Sequence, residues 1–110
     1  MGDYTELVFA ATLKNDIPKY IMEQIQDYVN EIFNSGSCYF PVTRPHNELI
    51  YEEDIDKWTI NIRCSVKDDG TTILSFIRFI KPYVKSGAGD NDFLGYHIYE
   101  DAEEPTLIYL

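Results

Sequence analysis

Residues 57–67 read KWTINIRCSVK and form the most regular pattern in the chain. Every second residue from Trp58 to Val66 is apolar or a cysteine, and the residues between them are polar or basic. Alternation with a period of two predicts a β-strand that packs one face on a core. The sequence DDG at 68–70 then predicts a turn, so the strand ends at Lys67.

After this turn the period changes from two to helical spacing. The apolar residues that recur three and four positions apart are Ile73, Phe76, Ile77, Ile80, Tyr83 and Val84. This pattern favours a helix from Thr71 or Thr72 to Lys85 over a second strand of a hairpin. Pro82 is expected to kink or tighten its last turn, because proline removes a backbone donor and crowds the preceding turn.

The N-terminal part of the chain repeats the combination of a strand and a helix. Residues 4–14 alternate between an apolar face and a more polar one, which predicts a strand. Asn15 and Asp16 suit a helix cap and Pro18 suits a first helical turn. Apolar residues at helical spacing then predict a helix over 18–33.

The remaining segments are shorter. They predict, in chain order, an edge strand at 38–43, a loop or frayed strand end at 46–56, a flexible loop at 86–92, a strand at 93–99, an acidic turn at 100–104 and a last strand at 105–110.

Together these elements run β-α-β-β-α-β-β, and a chain of 110 residues is expected to form one domain, 1–110. The first six match the split βαβ pattern of ferredoxin-like α+β folds, an antiparallel sheet with two helices on one face. The last strand would extend the sheet by a hairpin. This order predicts that 46–56 and 86–92 lie at one end of the sheet and 100–104 at the other.

Charge is the first indication of function. There are 19 Asp and Glu residues against 9 Lys and Arg, which gives a formal net charge of -10. Such a balance argues against direct binding to nucleic acid or to an anionic membrane surface, since both require a basic surface. Segments 46–56 and 86–110 hold 5 and 6 of the acidic residues and no Lys or Arg, so the excess is localised.

Tyrosines stand beside these acidic segments, and a rigid ring with a polar tip is typical of protein interfaces. The candidate binding residues are Glu48, Tyr51, Glu52, Glu53, Asp54, Asp56, Asp90 and Asp92. We expect a non-enzymatic interaction protein that uses them to bind a partner protein with a basic surface. Two alternatives stay open: an inhibitor that mimics nucleic acid, if the carboxylates recur at phosphate spacing, and a structural component of a virion or a homodimer.

Other chemistries lack complete motifs. The sequence has no nucleophile elbow, phosphate-binding loop or full calcium loop, so we expect no catalytic residue, metal or cofactor. Cys38 and Cys64 are too few for a zinc site and are expected to be reduced thiols, while His46 and His97 stand apart. No apolar run approaches a membrane span and no secretion signal is evident, so we expect a cytoplasmic protein.

Several stretches resemble small bacteriophage and prophage proteins that have no established activity. These stretches are YTELVF at 4–9, LKNDIP at 13–18, IKPYV at 80–84, YE at 99–100 and EPT at 104–106. The resemblance covers most of the chain and implies a viral or prophage origin, and with it the cytoplasm of a host cell and a partner protein from host or phage. It assigns no residue a role.

Overall fold

A computed structural model describes residues 4–33, 48–54, 56–67 and 71–110. This part of the chain has an α+β architecture, an antiparallel sheet of six strands with two helices. The strand predicted at 38–43 lies outside the described residues, as do Cys38 and His46.

The described residues form the following elements in chain order. They are β1 (Tyr4–Leu13), α1 (Lys19–Asp27) continued by a π-helical turn (Tyr28–Phe33), β2 (Glu48–Glu52), β3 (Lys57–Lys67), α2 (Thr71–Ile80) with a 3₁₀ turn (Lys81–Tyr83), β4 (Val84–Gly87), β5 (Phe93–Tyr99) and β6 (Thr106–Tyr109).

The strand order is β2-β3-β1-β5-β6, and β4 also pairs with β1. All pairs are antiparallel. Leu7 of β1 lies opposite Cys64 of β3 on one side and His97 of β5 on the other. The strand predicted at the N-terminus is therefore the centre of the sheet.

The core lies between one face of the sheet and the two helices. Alternate residues of β1 and β3 are buried there with the apolar residues of α1 and α2, as the alternation at 57–67 predicts. The rings of Phe9 and Phe76 meet edge to face with centroids 5.6 Å apart, and Tyr28 lies 5.3 Å from the same Phe76 ring. Burial of each large apolar side chain contributes about 1.5–3 kcal/mol, so this layer supplies most of the stabilisation.

The start of α1 differs from the prediction. Its N-cap is Pro18, whose carbonyl accepts the N–H groups of Ile21 (3.0 Å) and Met22 (3.1 Å), and no side chain caps the helix. The predicted cap residues, Asn15 and Asp16, lie in the preceding turn. A residue before proline is disfavoured in the helical region, so the helix begins only after Pro18.

The end of α2 also differs from the prediction, which placed it at Lys85. The α-helix ends at Ile80, because Pro82 has no N–H to donate and its ring crowds the carbonyl four residues earlier. After the 3₁₀ turn the chain is extended as β4, with Ser86 opposite Thr12 of β1. Val84, predicted on the apolar stripe of the helix, is instead a buried strand residue.

Half of the loop predicted at 46–56 is the edge strand β2. Leu49 pairs with Ile60 and Tyr51 with Trp58. Their two-residue spacing sets both on the helix-covered side, where Leu49 packs against the core. The sequence analysis did not predict this strand, because only Leu49 and Tyr51 follow the alternation of apolar and polar residues that identifies a strand.

A bulge in β5 depends on Gly95. The register with β6 shifts between Phe93 and Gly95, whose φ is +146°. A Cβ at Gly95 would lie 1.9 Å from the carbonyl oxygen of Val8. The bulge lets Leu94 enter the core, while Phe93 stays exposed.

Candidate functional site

Strand pairing brings two acidic segments to the same end of the sheet, as predicted. Glu52 lies opposite Lys57 where β2 meets β3, and Gly87 lies opposite Ala11 where β4 meets β1. The connections that follow these pairs therefore flank the C-terminal part of β1. We call them the acidic end, which comprises Glu52, Glu53, Asp54, Asp56 and the loop 88–92.

The second acidic turn, 100–104, lies at the opposite end. It follows Tyr99, which pairs with Thr5 near the start of β1. Ala102 N–H donates to the carbonyl of Tyr99 (2.9 Å) and closes this turn. The two concentrations of negative charge therefore form separate surfaces.

A cavity of about 310 Å³ lies within the acidic end. Its walls are formed by Ala11, Thr12, Glu52, Thr59, Asn61, Ala88, Gly89 and Asp90. Thr59 Oγ1 donates to Glu52 Oε1 at 3.4 Å. Two carboxylates, two hydroxyls and an amide give a lining rich in hydrogen-bond acceptors, which suits an ammonium or guanidinium group.

The loop that carries Asp90 is held by its neighbour Asn91. The Asn91 side chain donates from Nδ2 to the carbonyl of Ala88 (3.0 Å) and accepts the N–H of Phe93 at Oδ1 (3.0 Å). The Asn91 carbonyl accepts the N–H of Gly87 at 2.6 Å. Asp90 has a φ of 60°, a left-handed conformation that aspartate tolerates better than most residues. These contacts fix the position of Asp90 beside the cavity.

Tyr51 is tied to Asp56 across the turn between β2 and β3. Its hydroxyl donates to Asp56 Oδ1, and its ring lies 5.5 Å from that of Trp58. This hydrogen bond raises the pKa of Tyr51 above 10.0, because it stabilises the neutral phenol, and burial and the charge of Asp56 raise it further. The tyrosine still exposes 43% of its surface. It is thus a positioned ring at the rim of the acidic end.

Two lysines lie at the acidic end that the sequence did not lead us to include. The neighbouring Lys85 side chain lowers the pKa of Lys57 below 10.5, and burial and the charge of Lys85 lower it further. The charges of Asp56 and Asp90 raise the pKa of Lys57, against the effect of Lys85. Lys57 adjoins Asp56 in the sequence, which was an available signal. Nothing in the sequence indicated that Lys85 lies at the acidic end, because its segment was predicted to be helical.

The predicted residues do not all converge. Glu52 and Asp90 line the cavity, whereas Asp56 lies in the turn between β2 and β3 and does not line it. The other predicted residues lie away from the cavity. Glu53 and Asp54 are exposed in the turn after β2, and Asp92 is exposed at the end of the loop 88–92. Glu48 is partly buried at the opposite end of β2. The polar lining from Thr12, Thr59 and Asn61 was missed, although the alternation of residues 57–67 places Thr59 and Asn61 on the polar face.

The described residues show little sign of metal or thiol chemistry. Within 4–33, 48–54, 56–67 and 71–110, no three His, Cys, Asp or Glu residues are arranged to hold a metal ion. Cys64 is buried in the core and is not part of a disulfide. His97 lies partly buried on β5, where burial lowers its pKa below 6.5. No helix in the described part of the chain is both long and apolar enough to cross a membrane.

Neither protein-family models nor curated proteins nor solved structures give a match to this chain.

Proposed function

We propose that this protein is a non-enzymatic interaction protein that binds a basic surface of a partner protein through its acidic end. The observation that carries this proposal is the shared cavity of Glu52 and Asp90. Two carboxylates at one opening attract a lysine or arginine side chain more strongly than either would alone.

The strand and the loop that hold these two carboxylates in place favour binding. Glu52 ends a strand paired with β3, and Asp90 stands in a loop held by Asn91. Groups that are already positioned lose less conformational entropy when a partner binds. Lys57 and Lys85 repel a positively charged group that approaches the part of the acidic end near them. We therefore expect the partner to place its positive charge over the cavity and not elsewhere on the acidic end.

Tyr51 and Trp58 lie on the helix-covered side of the sheet, next to Asp56 and across the sheet from the cavity. Aromatic residues with a polar rim form the centre of many protein interfaces, and their faces also attract lysine and arginine. The contact of Tyr51 with Trp58 and Asp56 fixes the tyrosine ring before binding. A partner seated over the cavity would reach this pair only by extending around the turn that carries Asp56.

We also propose a bacteriophage or prophage origin, with a host or phage protein as partner in the host cytoplasm. The resemblance of the stretches at 4–9, 13–18 and 80–84 supports this origin. An acidic product that occupies a host protein needs no catalytic group of its own.

For the fold, we propose a ferredoxin-like split βαβ core extended by β6. The order β2-β3-β1-β5 supports this assignment, with one helix between β1 and β2 and another after β3. An experimental structure that paired β1 with β2 directly would contradict it.

Affinity capture from a bacterial lysate tests the proposed function. The variant Glu52→Gln/Asp90→Asn is compared with Glu103→Gln/Glu104→Gln, which removes the same charge from the opposite turn. We expect a partner that is retained by the wild type and by the control, lost by the cavity variant and released by salt. Equal retention by both variants would contradict the proposal. If the captured protein binds DNA and DNA competes for it, a nucleic-acid mimic replaces this interpretation.

A further inference from the structure

The cavity at the acidic end has two sides that belong to different parts of the sheet. Residues of β2 and β3 form one side, and the loop after β4 forms the other. Thr12 of β1 lies between them, opposite Thr59 of β3 on one edge and Ser86 of β4 on the other. Because β3 and β4 flank β1, their backbones are about 10 Å apart across the cavity.

The two carboxylates of the cavity are held on these separate sides. Thr59 Oγ1 donates to Glu52 Oε1 at 3.4 Å and keeps that carboxylate next to β3. Asn91 fixes the loop that carries Asp90 on the side of β4. A guanidinium group is a planar fork with N–H donors along both edges, so it can contact both sides at once. A lysine ammonium is a compact charge, and it approaches one carboxylate only by leaving the other.

A buried hydroxyl group beside the cavity has no hydrogen-bond partner. Ser86 Oγ is buried, and no group among the described residues donates to it or accepts from it. Ser86 lies opposite Thr12, which lines the cavity, and opposite residues of paired strands share a face. Buried polar groups of folded proteins are nearly always paired, so an unpaired hydroxyl at this position indicates that a polar ligand binds next to it.

The size of the cavity suits one side chain and not a broad protein surface. Its volume of about 310 Å³ is at the lower end of the range for small-molecule pockets. Ala88 and Gly89 are exposed and line it with a single methyl group between them, so the side of the loop stays open. Long basic side chains lay their methylene stem along such a surface while the charged head reaches polar atoms.

We propose that the cavity takes one arginine side chain, which protrudes from the partner and inserts between Glu52 and Asp90. This inference rests on the proposed function and narrows it, since neither a lysine nor a flat basic surface contacts both sides of the cavity. The guanidinium group pairs with both carboxylates, and its stem lies along Ala88. The partner therefore presents an arginine in a protruding loop or at a chain end.

Two tripeptides with blocked ends, Gly-Arg-Gly and Gly-Lys-Gly, test this proposal. They carry the same charge and differ in the basic group alone. In NMR titrations of the ¹⁵N-labelled full chain we expect the arginine peptide to bind about fivefold more tightly, or better, than the lysine peptide.

A variant that narrows the cavity without changing its charge separates insertion from surface attraction. Ala88→Leu should weaken binding of the arginine peptide by about fivefold, because the larger side chain occupies the space of the arginine stem. Ala102→Leu is the matched control, since Ala102 is also exposed and lies in the other acidic turn, 100–104. It should leave the affinity unchanged, and the ¹⁵N–¹H spectrum confirms that each variant is folded.

Equal affinity for the two peptides would overturn the insertion of an arginine and leave the proposed function intact, because the acidic end would still bind a basic group. Arginine binding that Ala88→Leu does not weaken, or that Ala102→Leu weakens as much, would have the same meaning. If neither peptide binds, the proposed function fails and this inference fails with it.

Discussion

Glu52 and Asp90 line one cavity, although they approach it from opposite sides of the central strand β1. Glu52 arrives on β2 through its pairing with β3, whereas Asp90 arrives in the loop after β4. The cavity therefore exists only when the sheet is complete. A basic partner bound there would stabilise the folded chain, because it has no equivalent site on the unfolded one.

Gly95 is expected to be the least replaceable glycine in the described part of the chain. Gly95→Ala would place a Cβ 1.9 Å from the Val8 carbonyl at a φ of +146°, so we expect a loss of at least about 2 kcal/mol in the free energy of unfolding. Gly89→Ala is the control, because its φ of +79° is also unfavourable but its Cβ would meet only Asn91 Nδ2, at 3.7 Å. That change should cost about 1 kcal/mol. Urea denaturation of both variants measures the difference, and equal losses would contradict the bulge geometry.

The raised pKa of Tyr51 depends on Asp56. We expect Asp56→Asn to bring the pKa of Tyr51 down toward 10.0, because the carboxylate that accepts a hydrogen bond from the Tyr51 hydroxyl and repels the phenolate is gone. Titration of the tyrosine ring carbons by NMR follows this change. Asp54→Asn removes the same charge from the same turn and should leave Tyr51 unchanged. If both variants shift Tyr51 alike, the hydrogen bond does not cause the raised pKa.

His97 is expected to make the folded chain less stable in mild acid. Burial lowers the pKa of His97 in the folded state below its ordinary value of 6.5, so the unfolded chain binds the proton more readily. The contribution of neutral His97 is therefore complete above pH 6.5 and declines as the pH falls through 6.5 toward the folded-state pKa. Urea denaturation of wild type and His97→Gln between about pH 7.5 and pH 5 measures this contribution, and the two curves should converge on acidification. Parallel curves would show that His97 does not titrate differently in the two states.

Periodicity in the sequence predicted the strands that contain a full apolar face. β1, β3, β5 and β6 lie within a residue or two of the predicted segments. For β1 and β3 the reason is that burial on one side requires alternation along the whole strand. β2 and β4 escaped prediction for different reasons. In β2 only Leu49 and Tyr51 face the helix-covered side, so its pattern is too brief to identify a strand. In β4 the apolar residue Val84 continues the helical spacing of α2, so the segment was predicted to be helical.

The acidic end was predictable as a location, and its detailed chemistry was not. The order of elements predicted 46–56 and 86–92 at one end of the sheet, and in the structure the turn after Glu52 and the loop 88–92 lie there. The approach of Lys85 to Lys57 depends on where Pro82 ends α2, and the role of Thr12 depends on the register of β1 with β3. Such contacts follow from tertiary pairing, so local sequence patterns do not encode them.

The central claim is that the acidic end, rather than the total negative charge, binds a basic protein surface. Titration of the ¹⁵N-labelled protein with a short arginine-containing peptide, followed by NMR, tests it most directly. We predict that chemical-shift changes concentrate at Glu52, Thr59 and residues 88–91, and that Glu52→Gln/Asp90→Asn weakens binding by about tenfold whereas Glu103→Gln/Glu104→Gln does not. Changes of equal size at 100–104, with equal weakening by both variants, would contradict the claim.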